Sequence, residues 1–437
     1  MDEISADRRA ASSRPRRPPR QFEVVEVKLD SVGQLGECVG RLPSGQVVFA
    51  SFGLPGETVA VEVDERKSTY LRGRVVKVLE ASPERAEAPC PLFGACGGCS
   101  WQHVSYEREL SYKQAIVVDQ LRRIGGFSAP PVRPIVGDAT PWRYRNQGRF
   151  SVRRDGQLGF TRRGSRMTLV VDDCLLMQEP IVRALARTQR HIQGRLHQVV
   201  IRHGARSGET LVSPRLPDLD EAGIPTGQPY YSEVLLGRRF QVAANAFFQP
   251  NTRPVVRAVP DGALDSPPSL PVPADGLSQA DLLALVALDR LALDGSDALL
   301  DAYSGVGTFA LLAASRASRV VGIEESVAAV EDARLNGADA PGVVFHAGRV
   351  EVILPRLGEH FDAVLLDPAR VGCAPDTLGA LLQIRAPTLV YASCDPATLA
   401  RDLRILCASV YDLADVQPID MFPRTYHVEA VATLRLR

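Results

Sequence analysis

Residues 298–309 read ALLDAYSGVGTF, an apolar run (Ala298–Asp301) that breaks into the glycine turn Asp301-Ala-Tyr-Ser-Gly305-Val-Gly307-Thr-Phe309. The run is short and continuously apolar, as in a strand buried on both faces. Four more runs of the same kind follow: Arg319–Ile323, Val343–His346, Ala363–Asp367 and Thr388–Ala392, with helical segments between them. That alternation specifies an α/β fold, a doubly wound and mainly parallel sheet with helices on both faces. Asp412–Pro418 and Glu429–Leu436 differ in character and fit a closing hairpin.

The glycine turn sits where a parallel sheet binds ligands. Glycine lets backbone approach a bound group, and the following helix offers free N–H groups. Nineteen residues after Gly305 the next strand ends in Glu324, an acid placed to accept from both hydroxyls of a ribose. The third glycine of a dinucleotide fingerprint is missing, since position 310 is Ala. Without a pyrophosphate cradle, S-adenosylmethionine is favoured over NAD.

Two further strand ends face the same edge. Asp367-Pro-Ala-Arg370 closes the fourth run and Ser393-Cys394-Asp395-Pro396 the fifth. A cysteine inside an apolar strand is normally core, but one at a strand end among Ser, Asp and Pro reads as reactive. Cys38, Cys373 and Cys407 have no such setting and read as core or incidental. Glu429, at the start of the last strand, is either a surface glutamate or a proton acceptor.

Upstream, residues 1–20 hold six arginines within Arg8–Arg20 and little to bury, which reads as a disordered basic tail. Short β-rich runs at Phe22–Leu29, Gln46–Ala50, Thr58–Val63 and Gly73–Leu79 suggest a small β-barrel. Cys90, Cys96 and Cys99 lie within ten residues, and thiolates this close favour zinc or an iron–sulfur cluster. A helix is expected over Tyr106–Ile124, then short strands over 140–245 with a helix near Pro180–Gly194. Arg143, Arg145, Arg149, Arg153 and Arg154 interleave with Trp142, Tyr144 and Phe150, as on a surface that pairs with phosphates and stacks on bases. Acidic and basic residues balance at 51 each, so net charge advertises no partner. No apolar run is long enough to span a bilayer and there is no signal-peptide pattern, so no membrane and a cytoplasmic location are expected.

Several motifs together, in this order, resemble the RNA uracil-5-methyltransferases: Phe247-Phe248-Gln249-Pro250-Asn251, the 301–309 loop, Asp367–Arg370, and Ser393–Pro396 with His427-Val-Glu429. Cys90-x5-Cys96-Gly-Gly-Cys99-x2-Gln102 is similar to the members that hold an iron–sulfur cluster, and residues 22–79 to their TRAM domain. The resemblance implies cofactor contacts at Gln249, Tyr303, Glu324 and Asp367, a Cys394 nucleophile and a Glu429 base. It also implies Cys174 as the fourth ligand of a 4Fe-4S cluster, structural in role because methylation needs no electron transfer. A Cys394 thiol of lowered pKa is expected to go with that role. RNA is the implied partner, ribosomal RNA ahead of tRNA, and a monomer is expected. Ala347-Gly348-Arg349 departs from the family, which often places Asp or Asn there to contact adenine, so backbone groups take that contact. The expected organisation is a tail over 1–20, a TRAM-like barrel over 21–80 and a central cluster-bearing domain over 81–245. A methyltransferase domain follows over 246–437, with a flexible insertion over 259–279.

Overall fold

The computed structural model describes residues 23–189, 192, 196–217, 219 and 225–437. The tail expected over residues 1–20 lies outside them. Residues 24–31 and 38–81 belong to one compact unit, and β1 (Val24–Val32), β2 (Cys38–Arg41), β3 (Val47–Ser51), β4 (Thr58–Arg66) and β5 (Tyr70–Glu80) close into a barrel. Val27, Leu29, Val48, Val59, Val61 and Leu71 fill its interior, the period-2 face that β-branched residues favour. The pattern missed β2, four residues around a glycine with no run of its own.

The second unit begins with α1 (Tyr106–Arg123), capped by the Ser105 hydroxyl, which accepts from the Arg108 N–H. A five-stranded sheet follows in the order β10-β9-β6-β7-β8, built from β6 (Gln147–Val152), β7 (Leu158–Thr161), β8 (Thr168–Val170), β9 (Gln198–His203) and β10 (Thr210–Ser213). Helix α2 (Glu179–Thr188) packs on β9. The hairpin of β11 (Tyr230–Leu235) and β12 (Arg238–Ala243) stands apart as a two-stranded sheet. Residues 259–276 take no helix or strand. Arg133 bonds Asp265 at 2.8 Å, and Arg206 bonds Asp275 at 2.9 Å and the Gly276 carbonyl at 2.7 Å.

The main sheet has seven strands in the order β15-β14-β13-β16-β17-β19-β18. Its parallel part is β13 (Ala298–Ala302), β14 (Arg319–Glu324), β15 (Val343–Ala347), β16 (Ala363–Leu366) and β17 (Thr388–Ser393). Helices α3 (Gln279–Leu291), α4 (Thr308–Ala313), α5 (Val327–Asn336), α6 (Val350–Leu357), α7 (Pro375–Ile384) and α8 (Pro396–Leu406) cover it. A capping box, Ser278 with Asp281, starts α3, which is buried along nearly its whole length against the sheet. The closing hairpin joins this sheet with its second strand innermost: β19 (Glu429–Leu436) runs antiparallel between β17 and β18 (Tyr411–Ile419). Among the described residues, no helix is long and apolar enough to cross a membrane.

The loop joining β18 to β19 is held from below by buried charge. Lys113 of α1, fully buried, bonds Asp420 at 2.7 Å, Glu109 at 2.8 Å and the Phe422 carbonyl at 3.1 Å. Glu109 also accepts from the Arg424 N–H at 2.7 Å, and Asp420 from the Tyr106 hydroxyl at 2.8 Å. Three charges taken from water are tolerable only while each keeps its partners. Lys113→Ala, which strands two buried carboxylates, is therefore expected to lower unfolding stability by about 3–5 kcal/mol, read from urea denaturation. Lys113→Arg, which keeps the charge, is expected to lose less.

Candidate active site

Strand β13 delivers the glycine turn to the carboxyl edge of the sheet. Tyr303, Gly305 and Gly307 all take positive φ, at 79°, 54° and 84°. A Cβ on Gly307 would lie 2.8 Å from the Phe345 ring, whereas one on Gly305 would meet nothing within 4 Å. One glycine thus serves packing and the other leaves open space above the turn. For Tyr303 the left-handed conformation costs about 1–3 kcal/mol. It is held because the Tyr303 and Ser304 N–H groups both donate to the Ile323 carbonyl at 2.9 Å. Glu324, at the end of β14, closes the turn by accepting from the Gly305 N–H at 3.1 Å and the Ser326 N–H at 2.7 Å.

Two buried polar atoms here have no protein partner, the Asp301 Oδ1 and the Ser304 Oγ. Asp301 spends its other oxygen on the Ala310 N–H at 2.9 Å. Free buried acceptors beside an open glycine turn and a ribose-competent Glu324 suit a nucleoside cofactor with a polar tail. Behind the turn, Gly348 donates its N–H to the Glu324 carbonyl at 2.9 Å, and Arg349 turns to Glu351 at 3.4 Å.

The antiparallel register of β17 and β19 pairs Ser393 with Ala430. One step further along each strand stand Cys394 and Glu429. Their charges are felt by each other, by Asp367 at the end of β16, and by Arg370 three residues on. Burial pushes the Cys394 thiol up to about 12, helped by Glu429 and Asp367, while the charge and hydrogen bond of Arg370 oppose this. That reverses the lowered pKa expected from sequence, chiefly because the thiol is buried, with the nearby carboxylates adding to the shift. Glu429 is itself pushed well above the usual carboxylate range by burial and by Asp367, with Arg370 opposing. Asp367 is raised by burial. Such a pair titrates as a unit.

Arg370 and His427 were quoted in the sequence motifs without a role. The Arg370 Nη2 lies 3.2 Å from the His427 Nε2. Burial and the charges of Arg370, Arg145 and Lys113 push His427 down to about 3, so it is neutral and can accept from Arg370. Asp395 caps α8, accepting from the Ala397 and Thr398 N–H groups at 3.0 Å each. Its negative end is thereby spent on the helix rather than on Cys394.

Gln249 arrives by another route. Its segment is tied down by Asn146, whose Nδ2 donates to the Gln249 carbonyl at 2.9 Å, to buried Glu233 at 2.7 Å and to Thr252 at 3.1 Å. Gln249 is buried while Phe247 beside it is 67% exposed.

Cys90, Cys96, Cys99 and Cys174 all line one cavity of about 330 Å³, with Arg145, Phe93, Phe160 and Met177. Burial raises the thiols of Cys96, Cys99 and Cys174, and charge on neighbouring cysteines adds to it. Among the described residues, no three His, Cys, Asp or Glu side chains converge so as to hold a single metal ion.

The interleaved arginine and aromatic surface is not one surface. Tyr144 and Phe150 are fully buried: Phe150 lies in the core of the five-stranded sheet, and the Tyr144 hydroxyl donates to the Pro423 carbonyl at 3.1 Å. Arg143 is spent on Asp173 at 2.6 Å and Glu179 at 3.0 Å, and Arg145 turns into the cysteine cavity. Arg149, Arg153 and Arg154 stay exposed.

A parallel sheet with one antiparallel strand inserted next to its edge, and a ligand turn after its first strand, is the arrangement of class I methyltransferases. The comparisons agree. Residues 19–76 match the TRAM domain model, and residues 354–437 match the tRNA (uracil-5-)-methyltransferase model. An RNA methyltransferase of Halalkalibacterium halodurans is 33% identical over 97% of this chain and all of its own length. One from Gloeobacter violaceus is 34% identical, with 95% of this chain and 97% of its own covered. The Pyrococcus abyssi tRNA (uracil-54, C5)-methyltransferase, solved with S-adenosyl-L-homocysteine, shares the fold. Its TM-score is 0.69 at 24% identity, over 94% of this chain and 100% of that one. This chain belongs to the RNA uracil-5-methyltransferase family and is an RNA methyltransferase.

Burial pushes the Asp301 acid up to about 8, with Asp367 and Glu324 adding to the shift. An aspartate in the unfolded chain ionises near about 4. Between those values the folded protein binds the extra proton, so stability falls as pH rises through the window. Asp301→Asn is expected to flatten that slope, measured as the urea midpoint from pH 4 to pH 8 without cofactor.

Proposed function

We propose that the enzyme methylates carbon 5 of a uridine in RNA, with Cys394 as nucleophile and Glu429 as base. The observation that carries this is the β17/β19 register, which sets thiol and carboxylate beside each other at the cofactor edge of the sheet. Carbon 5 of uracil is a weak nucleophile. Cys394 adds as thiolate to carbon 6, which turns carbon 5 into an enolate carbon able to take a methyl group. Bound S-adenosylmethionine supplies that methyl as a sulfonium electrophile. Glu429 then removes the proton from carbon 5, and the bond between Cys394 and carbon 6 breaks, regenerating the thiolate. Gln249, Tyr303, Glu324 and Asp367 are the residues assigned to hold the cofactor.

Thiolate formation is an electrostatic matter in this site. Protonating either member of the Asp367–Glu429 pair removes a like charge beside Cys394 and leaves Arg370 as its partner. A uridine inside a duplex cannot reach this edge, so the substrate base is one extruded from its stack. Ribosomal RNA is the proposed substrate, on the strength of the TRAM barrel together with the cysteine cluster. The full-length fold match to a tRNA methyltransferase favours tRNA as the second reading. Mapping 5-methyluridine in ribosomal RNA and tRNA of a deletion strain separates them.

The four cysteines are proposed to hold a 4Fe-4S cluster. In such a cluster each thiolate binds its own iron, so the sulfurs surround a void instead of converging on one point. The reading rests on the cavity of about 330 Å³ that all four cysteines line. Protein purified without oxygen is expected to be brown; a colourless preparation carrying stoichiometric zinc contradicts the cluster.

The mechanism is tested with RNA containing 5-fluorouridine, whose carbon 5 offers no proton to remove. Wild type is expected to give a covalent adduct by mass spectrometry, mapped to Cys394. An adduct that persists in Cys394→Ala, or none in wild type, sinks the mechanism. Glu429→Gln is expected to form the adduct with ordinary RNA and release it slowly, with kcat reduced about 100-fold or more.

A further inference from the structure

A further buried carboxylate lies behind the active edge. Asp402, on α8, is fully buried. Its Oδ2 accepts from the Tyr391 hydroxyl at 2.7 Å and from the Cys373 N–H at 2.9 Å, and its Oδ1 from the Arg401 Nε at 2.8 Å. The Cys373 thiol donates to the Tyr391 oxygen at 3.5 Å. One carboxylate therefore gathers two segments: β17 just before Cys394, and the loop that follows Asp367 and Arg370.

Its neighbours on α8 bind the same loop. The Thr398 hydroxyl donates to the Arg370 carbonyl at 3.1 Å, and the Arg401 Nη2 to the Val371 carbonyl at 3.0 Å. Gly372 sits so close that a Cβ would lie 2.6 Å from both the Asp402 Oδ2 and the Arg401 Nη2. The loop is thus pinned by its backbone, and its backbone decides where Arg370 projects. Arg401 is half exposed, so its ion pair adds little. The two bonds to Oδ2, out of water, carry the arrangement.

We infer that Asp402 is a positioning residue that locks the Arg370 loop to the strand that leads into Cys394. The inference rests on the proposed reading of Cys394 as nucleophile.

The test uses the full-length enzyme, with kcat and KM for S-adenosylmethionine measured per folded molecule. The rate of iodoacetamide alkylation at Cys394 is followed across pH by peptide mass spectrometry. Asp402→Ala is expected to lower kcat about 100-fold, the scale of a misplacement near 1 Å. It should also shift the alkylation profile to higher pH, because Arg370 no longer rests against the thiol. Asp402→Asn keeps a carbonyl able to accept from both Cys373 and Tyr391, and is expected to restore most of kcat and the profile. A folded Asp402→Ala enzyme with wild-type kcat and alkylation profile overturns the inference, as does Asp402→Asn behaving like Asp402→Ala. Should Asp402→Ala not fold, Tyr391→Phe decides: a several-fold loss of kcat with a shifted profile is expected, and unchanged values overturn it. If Cys394→Ala still methylates, the nucleophile reading fails, while alkylation still reports whether Asp402 governs the surroundings of Cys394.

Discussion

Everything at the working edge of this enzyme depends on β19 lying antiparallel between β17 and β18. In a purely parallel sheet the carboxyl ends of the strands would meet only other carboxyl ends. Inserting one reversed strand brings the start of β19, and so Glu429, back to the edge where β17 releases Cys394. That return needs the intervening loop to be rigid. The rigidity comes from Lys113, buried between Asp420 and Glu109, with Arg424 and Tyr106 completing the network. A helix far away in sequence thereby fixes the loop that leads into Glu429.

The site itself is an electrostatic compromise. Asp301, Asp367 and Glu429 are all buried, and the first and last find the second's charge unwelcome. Arg370 is the cation placed among them, oriented by His427 and by a backbone pinned to α8. Carboxylates held partly protonated are poor permanent anions and good proton carriers. The same crowding keeps the thiol of Cys394 protonated until a charge beside it is neutralised.

The parallel strands were legible because strands buried on both faces are written as unbroken apolar runs, and β13 to β17 are such runs. The glycine turn was legible as a turn because its glycines take positive φ, a conformation that glycine adopts without strain. Arg370 was not, since an arginine after a strand has no pattern of its own. Its meaning appears only when Cys394 and Glu429 stand beside it. Tyr144 and Phe150 misled for the converse reason: alternating arginine and aromatic residues describe a half-buried strand as well as a stacking surface, and burial decided for the strand. Cys373 looked incidental because its partners, Tyr391 and Asp402, stand on two other elements.

The sequence by itself determined the periodicities, the turn chemistry and the order of the motifs, and these are local properties that survive without knowing what touches what. They were enough for the sheet and for the glycine turn that follows its first strand. Only the tertiary structure decided which groups share a charge environment, and hence that Cys394 is raised where a lowered thiol was expected. Protonation depends on burial and on neighbours distant in the chain, and no spacing along the sequence encodes either.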